Sequence, residues 1–270
     1  MGTFTRCPLA FRFSYLERLP EPPSAPASKG TLVHLALQHL MWRPPEDRTI
    51  EHALVDLGRA RAELMAHPEF EELPLSDEEW DAFHADAEVL VRRYFELEDP
   101  RSVRPIGIEL FVRAELEGGV QLRGIIDRLE LDDDGELVVT DYKTGSAPGE
   151  GWEQRSLAGV HVYSMLCERV FGRRPARVQL LYLSRPERIV AHSNDQMIRG
   201  VEVKSTAVMQ AIRTACERDD FRPRPSPVCE FCSFREFCPS WGGDPSQAAM
   251  VLLARKAEAE GRPQLPLVPI

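Results

Sequence analysis

Three consecutive segments rich in apolar and β-branched residues constrain the fold of this chain more than any other feature. They cover residues 106–116, 120–131 and 137–141, separated by short turn-like stretches at 118–119 and 132–135. Such runs bounded by turn residues predict β-strands, and the short connections predict that the strands form an antiparallel meander. A chain with this centre must build a sheet and cover it with other elements.

The segments around this meander predict helices and one further strand. Residues 152–171 and 195–218 have helical spacing of apolar residues, whereas residues 176–184 read as a strand. Near the N-terminus, a proline-rich stretch at 20–29 predicts an exposed loop, and residues 30–40 after it predict a helix. This order of elements predicts an α/β fold in which helices flank a mixed sheet.

The domain organisation follows from these boundaries. We expect one domain over residues 1–242, with an N-terminal helical region, an exposed helical insertion at about 46–100 and a core at about 105–218. Residues 243–270 are expected to be a tail with one short helical piece and a proline-rich end.

Composition narrows the function without deciding it. The 270 residues carry a formal net charge of −10, which argues against a protein that holds nucleic acid by bulk electrostatics but leaves locally basic surfaces open. No apolar run approaches the roughly 20 residues that a membrane span needs. No secretory signal is recognisable at the N-terminus, so a cytoplasmic location is expected.

Polar residues with metal chemistry lie on the second and third predicted strands. Asp127 lies in GIIDR, and the third strand ends in VVTDYKTG with Asp141 and Lys143 two residues apart. Alternation points Asp141 and Lys143 to one face, and pairing of the strands brings Asp127 beside them. Two carboxylates suit Mg²⁺ or Mn²⁺, and a lysine beside them can orient an attacking water, which is what phosphodiester hydrolysis requires.

Cysteine spacing indicates a second metal site. The residues Cys229, Cys232 and Cys238 form C-x-x-C-x₅-C, and Cys7 is the candidate for a fourth thiolate. Four thiolates suit either zinc or a [4Fe-4S] cluster, and the spacing does not separate the two. The remaining cysteines, Cys167 and Cys216, lie in predicted helices and are expected in the core.

The segment from Gly124 to Gly145 resembles the PD-(D/E)xK nuclease core as it occurs in RecB-like exonucleases. The motifs G-x-x-D-R and D-Y-K-T-G carry this resemblance, which implies a restriction-endonuclease-like core. It also implies that Asp127 and Asp141 are the two acidic residues of the site and that Lys143 is its catalytic lysine.

The resemblance implies three further assignments. His34, in the setting Gly30-x-x-x-His34, takes the place of a metal ligand that related families carry on an early helix. Tyr163 takes the tyrosine place of the family's Gln-x-x-x-Tyr motif, but Gly159 stands where the glutamine belongs. Either the motif is degenerate or His161 or Gln154 compensates. Glu109, on the first strand, is a candidate for assisting the metal site and equally a candidate surface carboxylate.

The cysteines resemble the arrangement in RecB-like nucleases of the AddB and CRISPR-associated types. These carry one cysteine before the nuclease core and three after it, and Cys7 lies in the C-P-x-x-F-x-F context of such N-terminal cysteines. The resemblance implies a [4Fe-4S] cluster held by Cys7, Cys229, Cys232 and Cys238, with Zn²⁺ as the alternative. Such a cluster would join the two ends of the chain.

The resemblance as a whole implies a Mg²⁺- or Mn²⁺-dependent deoxyribonuclease of the exonuclease type. The expected substrate is single-stranded DNA in repair or recombination. The chain has no phosphate-binding G-x-x-x-x-G-K-[ST] motif, so unwinding would need a helicase partner. The alternative is a non-catalytic iron–sulfur module that binds nucleic acid and keeps the nuclease fold. A redox sensor would explain the cysteines but leave the carboxylates without a purpose.

Overall fold

The computed structural model of the chain describes residues 2–147, 149 and 153–259, and for 153–158 and 258–259 it describes the backbone alone. The chain divides into two compact units. One consists of residues 23–203, and the other combines residues 1–22 with the C-terminal part from residue 204.

A five-stranded mixed sheet forms the centre of the larger unit, and its order is the order of the sequence. The first three strands pair antiparallel, the third and fourth pair parallel, and the fifth pairs antiparallel with the fourth. This confirms the predicted α/β fold with a mixed sheet and the three-stranded meander. The strands are β1 (Arg104–Leu116), β2 (Val120–Leu131), β3 (Leu137–Lys143), β4 (Arg177–Tyr182) and β5 (Glu187–Ala191).

The helices of the described residues include long segments and single turns. Short 3₁₀ turns lie at Pro45–Asp47, Pro227–Phe231, Arg235–Phe237, Pro239–Trp241 and Pro245–Gln247, and a π turn lies at Arg12–Leu16. The α-helices are α1 (Gly2–Arg6), α2 (Pro8–Phe11), α3 (Ala25–Trp42), α4 (Ile50–Leu64), α5 (Pro68–Glu71), α6 (Asp77–Leu97), α7 (Glu153–Phe171), α8 (Asp195–Arg218) and α9 (Ala248–Ala259).

The core of the larger unit lies where α3 packs on α4, α6 and β1. Helix α3 is apolar on most of its surface, so it is buried between the other helices and the sheet rather than lying half in solvent. Ser76 caps α6 through a capping box with Glu79, which fixes where that helix begins. The buried apolar side chains of α3 are Leu32, Val33, Ala36, Leu37, Leu40 and Met41.

The smaller unit is built from both ends of the chain. Its core consists mainly of aromatic side chains from the N-terminal segment and from the region after α8, for example Phe13 against Phe234 with ring centroids 5.1 Å apart. Arg12 also pairs with Asp219 at 3.0 Å. Tertiary contacts therefore hold the two chain ends together within this unit.

Three expectations about the elements need correction. The predicted loop at 20–29 is shorter, because α3 begins at Ala25 behind an extended Ser24, with a proline in its first turn where no backbone N–H is needed. The helices of the region 46–100 are not merely exposed, since α6 buries residues such as Phe83 and Tyr94 in the core. Strand β5 was not predicted, because four of its five side chains are not buried and its alternation is weak.

The helix predicted at 152–171 is observed as α7 over Glu153–Phe171, and residue 152 lies outside the described residues. The proline-rich end beyond residue 259 lies outside the described residues. Among the described helices, none is long and apolar enough to cross a membrane.

Candidate functional site

Asp127 lies at the point where β2 and β3 stop forming a regular ladder. Their last backbone pair on this side is Arg128 with Thr140. Beyond it, the Asp127 carboxylate replaces the backbone partner and accepts a hydrogen bond from the Tyr142 N–H at 2.7 Å. The carboxylate is thereby fixed at the strand end and remains largely buried.

Glu109 stands opposite Asp127 on β1, between the pairs Ile108–Arg128 and Leu110–Ile126. Its φ is +46°, in the left-handed region that non-glycine residues rarely adopt. Such a conformation inside a strand needs compensation from its surroundings and is common at functional sites. Here it breaks the alternation of β1 and places a second carboxylate beside Asp127.

His34 of α3 completes this group. Its Nδ1 lies 3.5 Å from Asp127 Oδ2 and 4.0 Å from Glu109 Oε1. Its Nε2 lies 3.1 Å from the backbone oxygen of Tyr142. A carbonyl only accepts, so Nε2 carries a proton and donates it to Tyr142. Nδ1 is directed at the two carboxylates, and the three groups could hold a cation between them.

The group has the dimensions of a metal site. Each of His34, Glu109 and Asp127 offers a ligand atom, and these atoms all lie within 4.8 Å of one another. A histidine that binds a metal typically donates its other ring N–H to a carbonyl or carboxylate, as His34 does to Tyr142. The donor set of one imidazole and two carboxylates suits a hard divalent cation such as Mg²⁺ or Mn²⁺.

Asp141, Lys143 and Tyr163 form a second set beside the first. The Lys143 ammonium makes an ion pair with Asp141, and the Tyr163 hydroxyl donates to Asp141 Oδ1 at 3.3 Å. Asp141 is buried, whereas Lys143 is partly exposed. In the described chain, the three residues whose ligand atoms lie within 4.8 Å of one another are His34, Asp127 and Glu109. Asp141 is not one of them.

The pKa values of Asp127 and Glu109 are both raised by their surroundings. The pKa of Asp127 is raised to about 6, chiefly by burial and also by the charges of Asp141 and Glu109, against the opposing effect of His34. Burial also raises the pKa of Glu109, again with a contribution from Asp141. Buried carboxylates beside one another disfavour the ionised form, and a bound cation would favour it.

A buried polar network lies beneath the strand that carries these residues. Arg128 is completely buried and donates to the Tyr142 hydroxyl at 2.8 Å and to Glu98 Oε2 at 3.0 Å. Burial alone would raise the pKa of Glu98, but Arg128 holds it below its usual range. Glu130 also pairs with Arg128 at 2.9 Å. The arginine therefore anchors Tyr142, whose backbone contacts both Asp127 and His34.

Two glycines of the sequence motifs allow close packing around the site. A Cβ atom at Gly30 would lie 3.3 Å from the Thr144 hydroxyl oxygen, so α3 approaches the end of β3 closely there. A Cβ at Gly124 would lie 3.3 Å from Leu166 Cδ1 and 3.4 Å from Tyr163 Cε1. Gly124 thus lets α7 lie on β2 and bring Tyr163 to Asp141.

The departure from the Gln-x-x-x-Tyr motif is visible at Gly159. This residue is exposed, and a Cβ added there meets no atom within 4 Å. His161 does not take over the missing role, because its Nδ1 contacts the Ser193 hydroxyl at 2.8 Å. The Gln154 side chain lies outside the described residues.

The four cysteines singled out by spacing meet in the smaller unit. Cys7 precedes α2, the other three lie in the turns around residues 227–238, and all four line one cavity of about 620 Å³. Burial raises the pKa of the Cys232 thiol, a backbone hydrogen bond at Phe234 lowers it, and the other three cysteines raise it. The backbone N–H of Ser226 also points at the Cys229 sulfur at 3.3 Å.

The two other cysteines behave differently. Cys167 is fully buried, as expected, and burial raises its pKa to about 12. Cys216 was expected in the core, but it is exposed on α8. Helix α8 has a narrow apolar face, with Ile212 and Ala215 buried, and Cys216 lies one position beyond it.

Glu109 lies in the group of possible metal ligands, although its sequence context fits a surface carboxylate equally well. A carboxylate in the middle of a strand whose neighbours Ile108 and Leu110 are apolar is not distinguishable from a surface residue by alternation alone. The left-handed backbone that turns Glu109 towards Asp127 is a tertiary feature. The register shift of β1 lies just before it, at Gly107, where a Cβ would lie 2.8 Å from Leu110 Cδ2.

Comparisons with known proteins agree with this geometry. The Gene 69 protein of Mycobacterium phage D29 is 24% identical over 269 residues, which cover 88% of this chain and 94% of that protein. The Gene 69 protein of Mycobacterium phage L5 is 27% identical over 135 residues, 49% of this chain and 44% of that protein.

A solved structure from Eubacterium rectale, which carries the provisional name exonuclease, has the same fold. The likeness covers 84% of this chain and 80% of that one with a TM-score of 0.50 and 13% identity. The model of the PD-(D/E)XK nuclease superfamily matches residues 1–239, which include both groups of candidate residues. The chain therefore belongs to the PD-(D/E)XK nuclease superfamily.

Proposed function

We propose that this protein is a RecB-like deoxyribonuclease that depends on Mg²⁺ or Mn²⁺ and hydrolyses phosphodiester bonds. One observation carries the proposal. His34 turns its Nδ1 towards the carboxylates of Asp127 and Glu109, and the Asp141–Lys143 pair lies beside them. A cation site next to an acid and a lysine is what hydrolysis of a phosphodiester needs.

In this proposal His34, Asp127 and Asp141 hold the cation, and Glu109 contributes a carboxylate from β1. Asp141 lies next to the ligand group and would supply a further carboxylate oxygen to the cation while it stays paired with Lys143. When bound, the cation would act as a Lewis acid for a phosphate oxygen and would lower the pKa of a water molecule.

The protein side chains position the reacting groups. Lys143 is anchored by Asp141 and partly exposed, so its ammonium can reach the attacking water and offset charge on the phosphate. Tyr163 donates to Asp141, and its pKa is raised by burial and by that carboxylate, so it acts as a neutral donor that orients Asp141. Arg128 keeps the β3 backbone in place through Tyr142.

Further proposals concern the type of nuclease, its substrate and its biological role. The motifs G-x-x-D-R and D-Y-K-T-G and the name of the Eubacterium rectale structure support an exonuclease. We propose single-stranded DNA as the substrate, with a helicase partner, in repair or recombination. The two phage relatives do not add to this, because their name gives no activity.

The cysteines support a second cofactor. We propose that Cys7, Cys229, Cys232 and Cys238 hold a [4Fe-4S] cluster, with Zn²⁺ as the alternative. All four cysteines line one cavity, and four thiolates suit either metal group. The placing of one cysteine before the nuclease core and three after it favours a cluster, whose role would be structural.

The cysteines also support a proposal about the cellular compartment of the protein. All six cysteines are free, and a site of four thiolates needs a reducing compartment. This supports the cytoplasm.

The experiment that tests the proposed function is a degradation time course on end-labelled and circular single strands with Mg²⁺ or Mn²⁺. Asp127→Asn and Lys143→Ala should each lower the rate by about 100-fold or more, because they remove a ligand and the catalytic lysine. The matched control is Asp134→Asn, which changes an exposed turn residue and should leave the cleavage rate normal.

The His34→Ala variant should cleave slowly, and extra Mn²⁺ should partly restore its rate. Undiminished cleavage by the Asp127 and Lys143 variants would remove the proposed active site.

The same assay separates the alternative function. A protein that binds single strands tightly but never cleaves them with either metal is a binding module that keeps the nuclease fold. The glycine at position 159 is the feature that favours this alternative.

A further inference from the structure

The outer half of the β1–β2 pair is a two-stranded ribbon with one buried and one exposed face. Val112 and Leu122 lie on the buried face, at 2% and 7% exposure. The opposite face carries three cross-strand pairs whose members are all exposed. In order from the metal group outwards, these pairs are Phe111 with Ile125, Arg113 with Arg123, and Glu115 with Gln121.

The first pair is apolar where a solvent-facing pair is normally polar. Phe111 is 58% exposed and Ile125 50% exposed, and they are direct partners in the antiparallel register. Side chains in such a pair contact one another, so they form one continuous apolar surface. Single exposed apolar residues are ordinary, but a contiguous pair with an aromatic ring open to solvent indicates a binding surface.

The second pair consists of two positive charges in direct opposition. Like charges opposite one another destabilise a sheet, so Arg113 and Arg123 do not favour the fold. Within the described residues neither guanidinium has a hydrogen bond or an ion pair, and the nearby Glu115 side chain accepts from Gln121 instead. The chain has a net charge of −10, so an unneutralised arginine pair stands out as a local anion-binding surface.

The ribbon leads directly to the proposed metal site. Glu109 and Asp127 stand opposite each other two positions before the Phe111–Ile125 pair. At about 3.4 Å per residue, the apolar pair lies about 7 Å and the arginine pair about 14 Å along the strands from these carboxylates. A polymer whose backbone is bound at the metal would pass first over an aromatic ring and then over two guanidinium groups.

We propose that the ribbon face, defined as Phe111, Ile125, Arg113 and Arg123, holds the single strand of nucleic acid that enters the metal site. The proposal rests on the proposed nuclease function and deepens it. An unpaired base stacks on Phe111 beside Ile125, and the arginines bind the next phosphates. A duplex keeps its bases stacked on each other and cannot use the ring. A protein partner would not need the unneutralised arginines, and anionic nucleic acid does.

The test is fluorescence anisotropy of a fluorescein-labelled 20-residue oligothymidylate with the full chain, without added divalent metal so that cleavage does not occur. Phe111→Leu keeps the apolar area but removes the aromatic face, and it should weaken binding by about 5- to 100-fold, as loss of one stacked base does. Phe111→Trp should bind like the unchanged protein or tighter. The affinity for a duplex of the same length should be the same in both variants.

The arginines are tested by the salt dependence of the same binding. For single strands each phosphate contact contributes about 0.7 to the slope of log affinity against log salt, so Arg113→Gln with Arg123→Gln should lower it by about 1.4. The charge-matched control is Arg61→Gln with Arg199→Gln, two exposed arginines on α4 and α8, which should leave the slope unchanged. The ribbon variant should melt at the same temperature as the unchanged protein or higher, because a repulsive pair is removed.

The outcomes separate this proposal from the proposed function. Ribbon variants that bind with unchanged affinity and salt slope overturn the ribbon proposal, even when the unchanged protein cleaves DNA normally. Ribbon variants that lose affinity in a protein that never cleaves support the ribbon and reject the nuclease. A Phe111→Leu variant as tight as the unchanged protein rejects base stacking.

Discussion

At the scale of single residues, the site is defined by what each polar atom does with its partners. Asp127 uses one oxygen to accept the Tyr142 N–H and faces His34 with the same atom. His34 uses Nε2 on a carbonyl, which leaves Nδ1 for a cation. These contacts fix the tautomer and the direction of each ligand before a metal arrives.

The raised pKa of Asp127 has a measurable consequence for the metal-free protein. Its folded pKa is about 6, above the ordinary value of about 3.9 for an unfolded aspartate. Between pH 4 and pH 6 the folded state therefore binds more protons from this group than the unfolded state. The free energy of unfolding should fall as the pH rises through this window, because the charged carboxylate is penalised by burial.

Urea unfolding of the metal-free protein from pH 4 to pH 7 measures this effect. Asp127→Asn carries no such proton, so its stability should decline less over the same range. Added Mn²⁺ should offset the decline above pH 6, because it binds the ionised carboxylate of the folded state. An equal decline in the unchanged protein and the variant would contradict the assigned shift.

At the scale of elements, α7 decides how the second half of the site is arranged. Gly124 of β2 allows the helix to pack closely, and Tyr163 reaches Asp141 as a result. One helical turn earlier, Gly159 leaves the exposed side of α7 without a side chain. Gly159 therefore leaves free space on the helix, and a side chain at this position would not clash with a neighbour.

Gly159→Gln restores the Gln-x-x-x-Tyr spacing with Tyr163 and tests its value here. A Cβ at this position meets no atom within 4 Å, so the side chain can be accommodated. Replacing a glycine inside a helix should stabilise the protein by up to about 1 kcal/mol. We also expect faster cleavage, because the amide adds a polar group on the helix face of Tyr163.

Gly159→Ala is the matched control, since it brings the gain in helix propensity without the amide. Thermal unfolding and the cleavage rate are measured for both variants. If glutamine and alanine give the same rate, the missing glutamine is irrelevant to this enzyme.

At the scale of the whole molecule, the four cysteines that line one cavity come from chain segments more than 200 residues apart in sequence. Cys7 meets the three C-terminal cysteines in a unit whose apolar core is small and built largely from phenylalanines. A bound metal group that closes so long a loop contributes strongly to folding.

Anaerobically purified protein should be brown, absorb broadly near about 400 nm and contain iron and sulfide in the ratio of one [4Fe-4S] cluster. Cys7→Ser should lose the cluster and lower the melting temperature, because the smaller unit loses its metal link. Cleavage should then fall indirectly, through local unfolding.

Cys216→Ser is the control for this experiment. It replaces an exposed cysteine outside the cavity and should keep both colour and stability. A colourless protein with one tightly bound zinc would reject the cluster and keep the four-cysteine site. A stably folded protein without any metal would reject both.

The sequence by itself determined the sheet meander, the flanking helices and most of the polar residues of the site. These features are local, because strand alternation, turn residues and short motifs act over a few positions. Asp127, Asp141 and Lys143 were found this way, and so was the set of four cysteines with its long separation.

The tertiary structure decided what depends on residues far apart in the chain. Glu109 joins the candidate metal group because its left-handed backbone interrupts the alternation of β1 opposite Asp127. Arg128 holds Tyr142 in place because the fold brings Glu98 and Tyr142 to its guanidinium. Cys216 is exposed because it lies on a different face of α8 from the buried Ala215. Burial and mutual approach arise from packing, and no periodicity along the sequence encodes them.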